Sequence, residues 1–264
     1  MAKDRSGAGD PVRTLELLWR EPGQGAPSGR RGPRQGLTVD AVVDAAIALA
    51  DEAGAADRSG LAALTMRALA QRLGVTPMTL YTYVPGKAEL LDLMLDGAYL
   101  AMERAAPAPS GPWRERITRV ADDNRALLVR HPWIAELSVT RPPLGPGVIG
   151  KYDHELAAFD GIGLTDAEMD AALTHLLGFV HANALAAADT AAHNARQSDQ
   201  DWWEASAPLL ERAMDPERYP LAGRVGSAVG AYDPETVWAF GLRCLLDGIA
   251  RLVDKGSRGS GGTA

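Results

Sequence analysis

Cysteine is almost missing from this chain of 264 residues, with Cys244 standing alone. That excludes an internal disulfide framework, fits a reducing compartment, and leaves a thiolate zinc cluster without ligands. Lysine is scarce too, since Lys3, Lys87, Lys151 and Lys255 are the whole complement. No stretch reaches the ~18 uninterrupted apolar residues expected of a membrane span. The opening MAKDRSGAGD lacks the apolar middle of a secretory signal, so a cytoplasmic location with no membrane partner is expected. The five histidines fall at irregular intervals, without a His-x-x-x-His or paired-carboxylate pattern, so no metal or other cofactor is expected. Also missing are a Gly-rich phosphate loop, a Gly-x-Ser-x-Gly elbow and a His-Glu-x-x-His helix. A helical-bundle enzyme would need such a set, and no catalytic residue is assigned. Strand-like alternation and internal repeats are absent, which makes the expected fold all-α.

A net charge of −7 argues against general nucleic-acid binding, so the distribution of charge matters more than its sum. Residues 1–36 carry seven Lys/Arg against four Asp/Glu, whereas residues 37–100 carry four against eight. Within 58–88, however, Arg58, Arg67, Arg72 and Lys87 meet no acid. A DNA contact on such a chain must be narrow and local, and strongly salt-dependent.

Composition breaks divide the chain. Residues 1–36, rich in Gly, Pro and Ser and ending in RRGPRQG, read as a flexible basic arm in which Leu15 to Trp19 is free to form a short helix or dock. Its Arg30, Arg31 and Arg34 have two open readings, minor-groove contacts or a solvated leader. Thr38 caps a helix that runs to Gly54 on Val39, Val42, Val43, Ala46, Ile47 and Ala50, and AADRSG follows as a surface loop. Further helices are expected from Met66 to Leu73, Pro77 to Val84 and Lys87 to Met102. The prolines of RAAPAPSG mark a junction. Beyond it, helices are expected over 113–131, from RPPLGPG to Asp160, from a Thr165 cap to His193, over 201–214, and from Pro234 to Val253, with a Gly-rich loop after DPERYP. The expected domains are thus the arm, a helix-turn-helix unit over 37–103, a helical body over 112–254, and a flexible tail over 255–264.

LTMRALAQRLGVTPMTLYTYVPGK, residues 64–87, carries the most specific signal. Thr65 caps one helix, Ala70 is small where two helices must cross, and Gly74 suits a turn that needs positive φ. Leu80 anchors the next helix against Leu69, Leu73 and Val75, while Thr76 caps it and Pro77 takes its first position. The outward positions are Pro77, Met78, Thr79, Thr82 and Tyr83, with Tyr81 on the flank. A merely solvated helix would carry Glu, Lys or Gln there. Hydroxyls can meet phosphates or base edges, and methyl groups can meet thymine.

LTMRALAQRLGVTPMTLYTYVPGKAELLDLM resembles the DNA-binding domain of TetR-family transcriptional regulators. The resemblance implies that Arg67 and the exposed face of the second helix read bases, and that Thr65, Tyr81, Tyr83 and Lys87 hold phosphates, Lys87 aided by a helix N-terminus. The AADRSG loop is longer than the family's usual one and adds Arg58 as a possible backbone contact. More loosely, residues 112–253 resemble the tetracycline-repressor-like C-terminal group through Trp113, Arg130-His131-Pro132-Trp133, Thr140-Arg141-Pro142 and DPERYP. That implies an N-terminal three-helix helix-turn-helix DNA-binding domain joined to a larger helical ligand-binding and dimerisation domain.

Two small-residue faces give an independent hint of dimerisation. Ala171, His175, Gly178, Ala182 and Ala186 share one face of the long helix, and Gly241, Cys244 and Gly248 share one on the last. The opposite stripes, Met169, Leu173, Leu176, Val180 and Trp238, Leu242, Leu245, Ile249, Leu252, read as core. Polar or aromatic groups on otherwise apolar helices, Glu103, Asn124, His131, Arg141, His154 and Phe179, are the candidate pocket residues, each with an ordinary structural role as its alternative. The function expected is a homodimeric, ligand-responsive repressor of a pseudo-palindromic double-stranded DNA operator, released by a small-molecule effector. An activator, a ligand-independent regulator, or a binding module that has lost DNA function remain alternatives.

Overall fold

The computed structural model describes residues 5–21, 37–55, 59–102, 111–139, 141–194, 198–229 and 234–259. Almost all regular structure there is helical, as the missing alternation predicts. The head comprises α2 (Val39–Ala55), α3 (Gly60–Ala63), α4 (Met66–Arg72) and α5 (Pro77–Leu80). The connector α6 (Lys87–Leu100) leads into the body, which holds α7 (Trp113–Arg130), α8 (Trp133–Glu136), α9 (Pro146–Leu156), α10 (Asp166–Asn194), α11 (Asp199–Ala213), α12 (Pro220–Val229) and α13 (Pro234–Gly259).

Local chemistry accounts for most boundaries. Thr38 Oγ accepts from the Ala41 N–H at 3.1 Å and opens α2. Thr165 and Glu168 form a reciprocal capping box at α10, in which the carboxylate accepts the Thr165 N–H at 2.9 Å. Amphipathic spacing does the rest: α2 buries Val39, Val42, Val43, Ala46 and Ala50, and α7 buries Ile117, Val120, Ala121 and Leu127. Head and body share one continuous apolar core, running from Leu17 through Leu80 and Met94 to Ile249.

Four features differ from the sequence reading. Residues 5–21 are docked: α1 (Pro11–Leu18) buries Leu17 and Leu18, and the strand β1 (Arg5–Ser6) pairs in parallel with β2 (Ser138–Val139). Pro11 at the first turn and Asp10 as N-cap, accepting from Val12 N–H at 2.9 Å, start α1 inside an otherwise loop-like composition. The loop before the helix-turn-helix contains α3, because Ser59 caps it and Glu136 of α8 accepts the Gly60 N–H at 3.0 Å. The Gly-rich segment after DPERYP is helical as α12, begun by Pro220 despite Gly223 and Gly226. Finally, α13 continues five residues past Asp254, through Gly259, so the tail is helical there. Glu103, Arg30, Arg31, Arg34 and Arg58 lie outside the described residues.

Candidate nucleic-acid interface and effector site

The helix-turn-helix is assembled by caps and one anchor. Thr65 Oγ accepts from Ala68 N–H at 3.1 Å to begin α4, and Gly74 at φ 64° turns the chain. Thr76 Oγ accepts from Thr79 N–H at 3.2 Å to begin α5. Leu80 is fully buried and packs with Leu69, Ala70 and Val84, worth about 1.5–3 kcal/mol by transfer alone. Instead of continuing as α-helix to Val84, the chain tightens after Leu80. Thr82 and Tyr83 N–H donate three residues back, to Thr79 and Leu80 carbonyls, and Val84 N–H donates to Leu80.

This arrangement leaves Arg67, Pro77, Met78, Tyr81 and Thr82 exposed, with Met78 at 74%. Thr79 and Tyr83 are half-buried, and Tyr83 leans on the core, so the outward face is narrower than the sequence suggested. Arg72 is not available to phosphate: its guanidinium forms a two-pronged pair with Glu52 of α2, both contacts at 2.7 Å. That contact holds the Glu52 carboxyl below its ordinary range. Lys87 opens α6, and its ammonium donates to the Leu61 carbonyl at 2.9 Å, tying α6 to α3.

Under the other end of α6 lies a buried polar cluster. Lys151 and Glu155, one turn apart on α9, pair at 2.7 Å with both side chains almost sealed from solvent. Asn124 of α7 donates to Glu155 and to the Val120 carbonyl at 2.8 Å. The Lys151 ammonium sits 4.9 Å from the Tyr99 ring centre, on α6. Burial first, and the Glu155 charge second, push the Tyr99 hydroxyl above its ordinary range. A buried ion pair is seldom kept for stability, because desolvation offsets most of its attraction. A second seam joins head and body beside it, where Asp51 of α2 accepts from Trp133 Nε1 at 2.9 Å and lies 3.0 Å from His131 Nδ1. A cavity of about 380 Å³ opens there between α2, α6 and α7, lined by Ile47, Met102, Asp123 and His131 among others.

Two sequence profiles match this chain. "Bacterial regulatory proteins, tetR family" matches residues 42–94, and "Tetracyclin repressor-like, C-terminal domain" matches residues 106–253. The chain belongs to the TetR family.

As a TetR-family member it is a homodimeric DNA-binding transcriptional regulator and not an enzyme. It is 38% identical over 252 residues to the HTH-type transcriptional repressor DrrR1 of Streptomyces coeruleorubidus, covering 95% of this chain and 89% of that one. The tetracycline repressor protein class E of Escherichia coli is 27% identical over 83% of this chain and 93% of its own. Among solved structures, ActR of Streptomyces coelicolor in complex with actinorhodin superposes with a TM-score of 0.68 at 26% identity, over 82% of this chain and 97% of that chain.

The structure separates the expected TetR-type pocket residues. Asn124 joins the buried cluster and His131 lines the seam cavity, whereas Arg141 is exposed near the amino-terminal segment. His154 is half-buried in the last turn of α9, and Phe179 stacks on Trp238 with ring centres 5.1 Å apart. Tyr99, Lys151 and Glu155 were missed, since a Lys-x-x-x-Glu pair on a helix normally reads as a solvated face.

Of the expected dimer residues, Ala171, His175, Gly178 and Ala182 are exposed on α10, and Cys244 and Gly248 on α13. Gly241 is the correction: a Cβ there would lie 2.3 Å from Phe179 of the same chain, so it serves α10–α13 packing within one subunit. Among the stripes expected to be core, Leu173, Leu176, Val180, Trp238, Leu242 and Ile249 are buried, and Leu252 is exposed. Residues 166–190 of α10 are long and apolar enough by composition to cross a membrane, with mean hydropathy 1.3, yet only 17% of that stretch is buried within one chain. Its exposed positions include the small residues Ala171, Gly178, Ala182 and Ala186. Nearby, α11 and α12 expose Trp202, Trp203, Leu209, Leu210 and Leu221 and pack on no described element beyond marginal contacts.

Proposed function

We propose that this chain is a repressor that holds a pseudo-palindromic operator as a homodimer and releases it when a small molecule engages the polar cluster beneath α6. The observation that carries this reading is the placement of α6, whose first turn follows directly on the recognition segment and is tied to α3 of the head through Lys87, and whose far end rests on the buried Tyr99–Lys151–Glu155–Asn124 group. A ligand that rearranges that group changes where α6 can sit, and therefore where the head sits.

On DNA, Arg67, the exposed Met78 and the half-buried Thr79 face base edges, while Thr65, Thr76, Pro77, Tyr81, Thr82, Tyr83 and Lys87 lie against the backbone. Pairing through the exposed faces of α10 and α13 sets two heads about one helical turn, ~34–36 Å, apart. Work on DNA places the protein in the cytoplasm. Release requires an effector that favours the non-binding setting by several kcal/mol.

The test begins with selection of an operator from a random duplex pool by the full-length wild type. Arg67→Ala and Tyr81→Ala should each weaken binding to that operator, Arg67→Ala by about 1–3 kcal/mol if it makes a bidentate base contact. Undiminished binding in both would overturn the recognition surface. Actinorhodin, bound by the Streptomyces coelicolor relative, is the first effector probe. The double variant Lys151→Met, Glu155→Gln, which leaves no unpaired buried charge, should keep operator binding and lose release by any effector that works on the wild type.

A further inference from the structure

Residues 5–21 bond to the body, the connector and the head alike. To the body, β1 pairs with β2 through Arg5–Ser138 and Ser6–Val139, and the Trp19 indole N–H donates to the Leu144 carbonyl at 2.8 Å. To the connector, the Gly7 N–H donates to Asp92 at 2.8 Å, the Asp10 N–H donates to Glu89 at 3.2 Å, and Leu17 and Leu18 enter the shared core. To the head, Arg20 pairs with Asp40 of α2 while also donating to the Leu17 carbonyl at 2.6 Å.

The connector is built to receive this segment. Glu89, Asp92 and Asp96 follow one face of α6 and are all buried, an arrangement that is tolerable only where donors meet the carboxylates. The segment supplies donors to the first two, and Val148 N–H at the start of α9 supplies the third at 2.8 Å. Gly7 fits its place narrowly: its φ is +70°, and a Cβ would lie 2.8 Å from the Arg141 carbonyl oxygen. Buried acids on α6 and backbone donors on the segment therefore depend on one another.

We infer that residues 5–21 form a built-in strap that fixes α6, and through it the head, in the setting that binds operator. The inference rests on the repressor reading above. A competing role for the same segment is direct DNA contact through its arginines, and the two differ in salt dependence. Loss of a strap weakens binding without changing the number of phosphates neutralised, whereas loss of a groove-binding arm lowers the salt slope.

The experiment uses the full-length dimer as wild type, Gly7→Ala and Trp19→Phe. Operator affinity is read by fluorescence anisotropy over a salt series, and amide exchange along α6 is read without DNA. The strap predicts operator binding weaker by roughly tenfold in Gly7→Ala, within the usual span of coupling between sites. It also predicts a smaller loss in Trp19→Phe, an unchanged salt slope, and faster exchange in α6. Wild-type affinity together with wild-type exchange in both variants would overturn it, as would a reduced slope. If the wild type selects no DNA at all, the repressor reading falls, and α6 exchange still decides the strap.

Discussion

The recognition segment α5 and the connector α6 are neighbours in the chain and are held in opposite ways. Of the four residues of α5, only Leu80 is buried, and the rest of its order comes from the Thr76 cap and a run of tight turns. In α6 every residue from Glu89 to Asp96 is buried, between the amino-terminal segment, α2 and α9. The reading surface is thus a light element on a single pin, and the connector is clamped on all sides. Small changes at α5 should alter which DNA is bound, whereas changes around α6 should alter whether the heads are placed to bind at all.

The largest effect that would sharpen this contrast is expected from Glu155→Ala. It strips Lys151 of its buried carboxylate and should cost about 3–5 kcal/mol, read as a lower denaturation midpoint of the whole chain. Next comes Leu80→Ala, at about 2–5 kcal/mol, which should loosen the head alone. Amide exchange rising in α4 and α5 but not in α10 would bear that out, and a uniform rise would break the contrast. Thr76→Ala removes one cap and should cost about 1 kcal/mol, with operator binding reduced and α6 exchange unchanged.

The smallest effect concerns acidity. Burial, outweighing donors from Val148 and Gly147 and the nearby Arg20 charge, raises the Asp96 carboxyl above its ordinary 3.8. The folded chain therefore binds this proton more tightly than the unfolded one. The resulting stabilisation is fully present below 3.8 and is lost as pH rises through the raised value. Asp96→Asn should accordingly gain melting temperature relative to wild type as pH rises from 4 towards neutrality. A constant difference across that range would show that Asp96 is not the titrating group.

What could be read from sequence follows the range of the interactions responsible. Thr65, Gly74, Thr76 and Leu80 act within a few residues of themselves, so the helix-turn-helix was legible in order and register. The same holds for Thr165 at α10 and for the breaks at Pro132 and Gly145. The strap was not legible, because its partners Glu89, Asp92 and Leu144 lie 79, 85 and 125 residues away. Composition marked that segment as loop, and only Leu15–Trp19 hinted otherwise. Lys151 and Glu155 were overlooked for a related reason: their spacing is that of a surface pair, and packing against elements distant in sequence, α6 above all, removes them from water. Gly241 failed in the opposite direction, since a small residue facing a neighbouring helix looks the same whether that helix belongs to the same chain or to a partner.

The exposed, small-residue flank of α10 has a consequence for gene control as well as for structure. A lone chain brings one head, and a palindrome is occupied only by chains that have already found each other. Below the concentration at which pairing is complete, operator occupancy therefore tracks the square of the chain's abundance instead of rising in proportion to it. A modest fall in synthesis or a modest rise in dilution at cell division would open the controlled genes more sharply than a single-headed regulator could, even before any effector arrives.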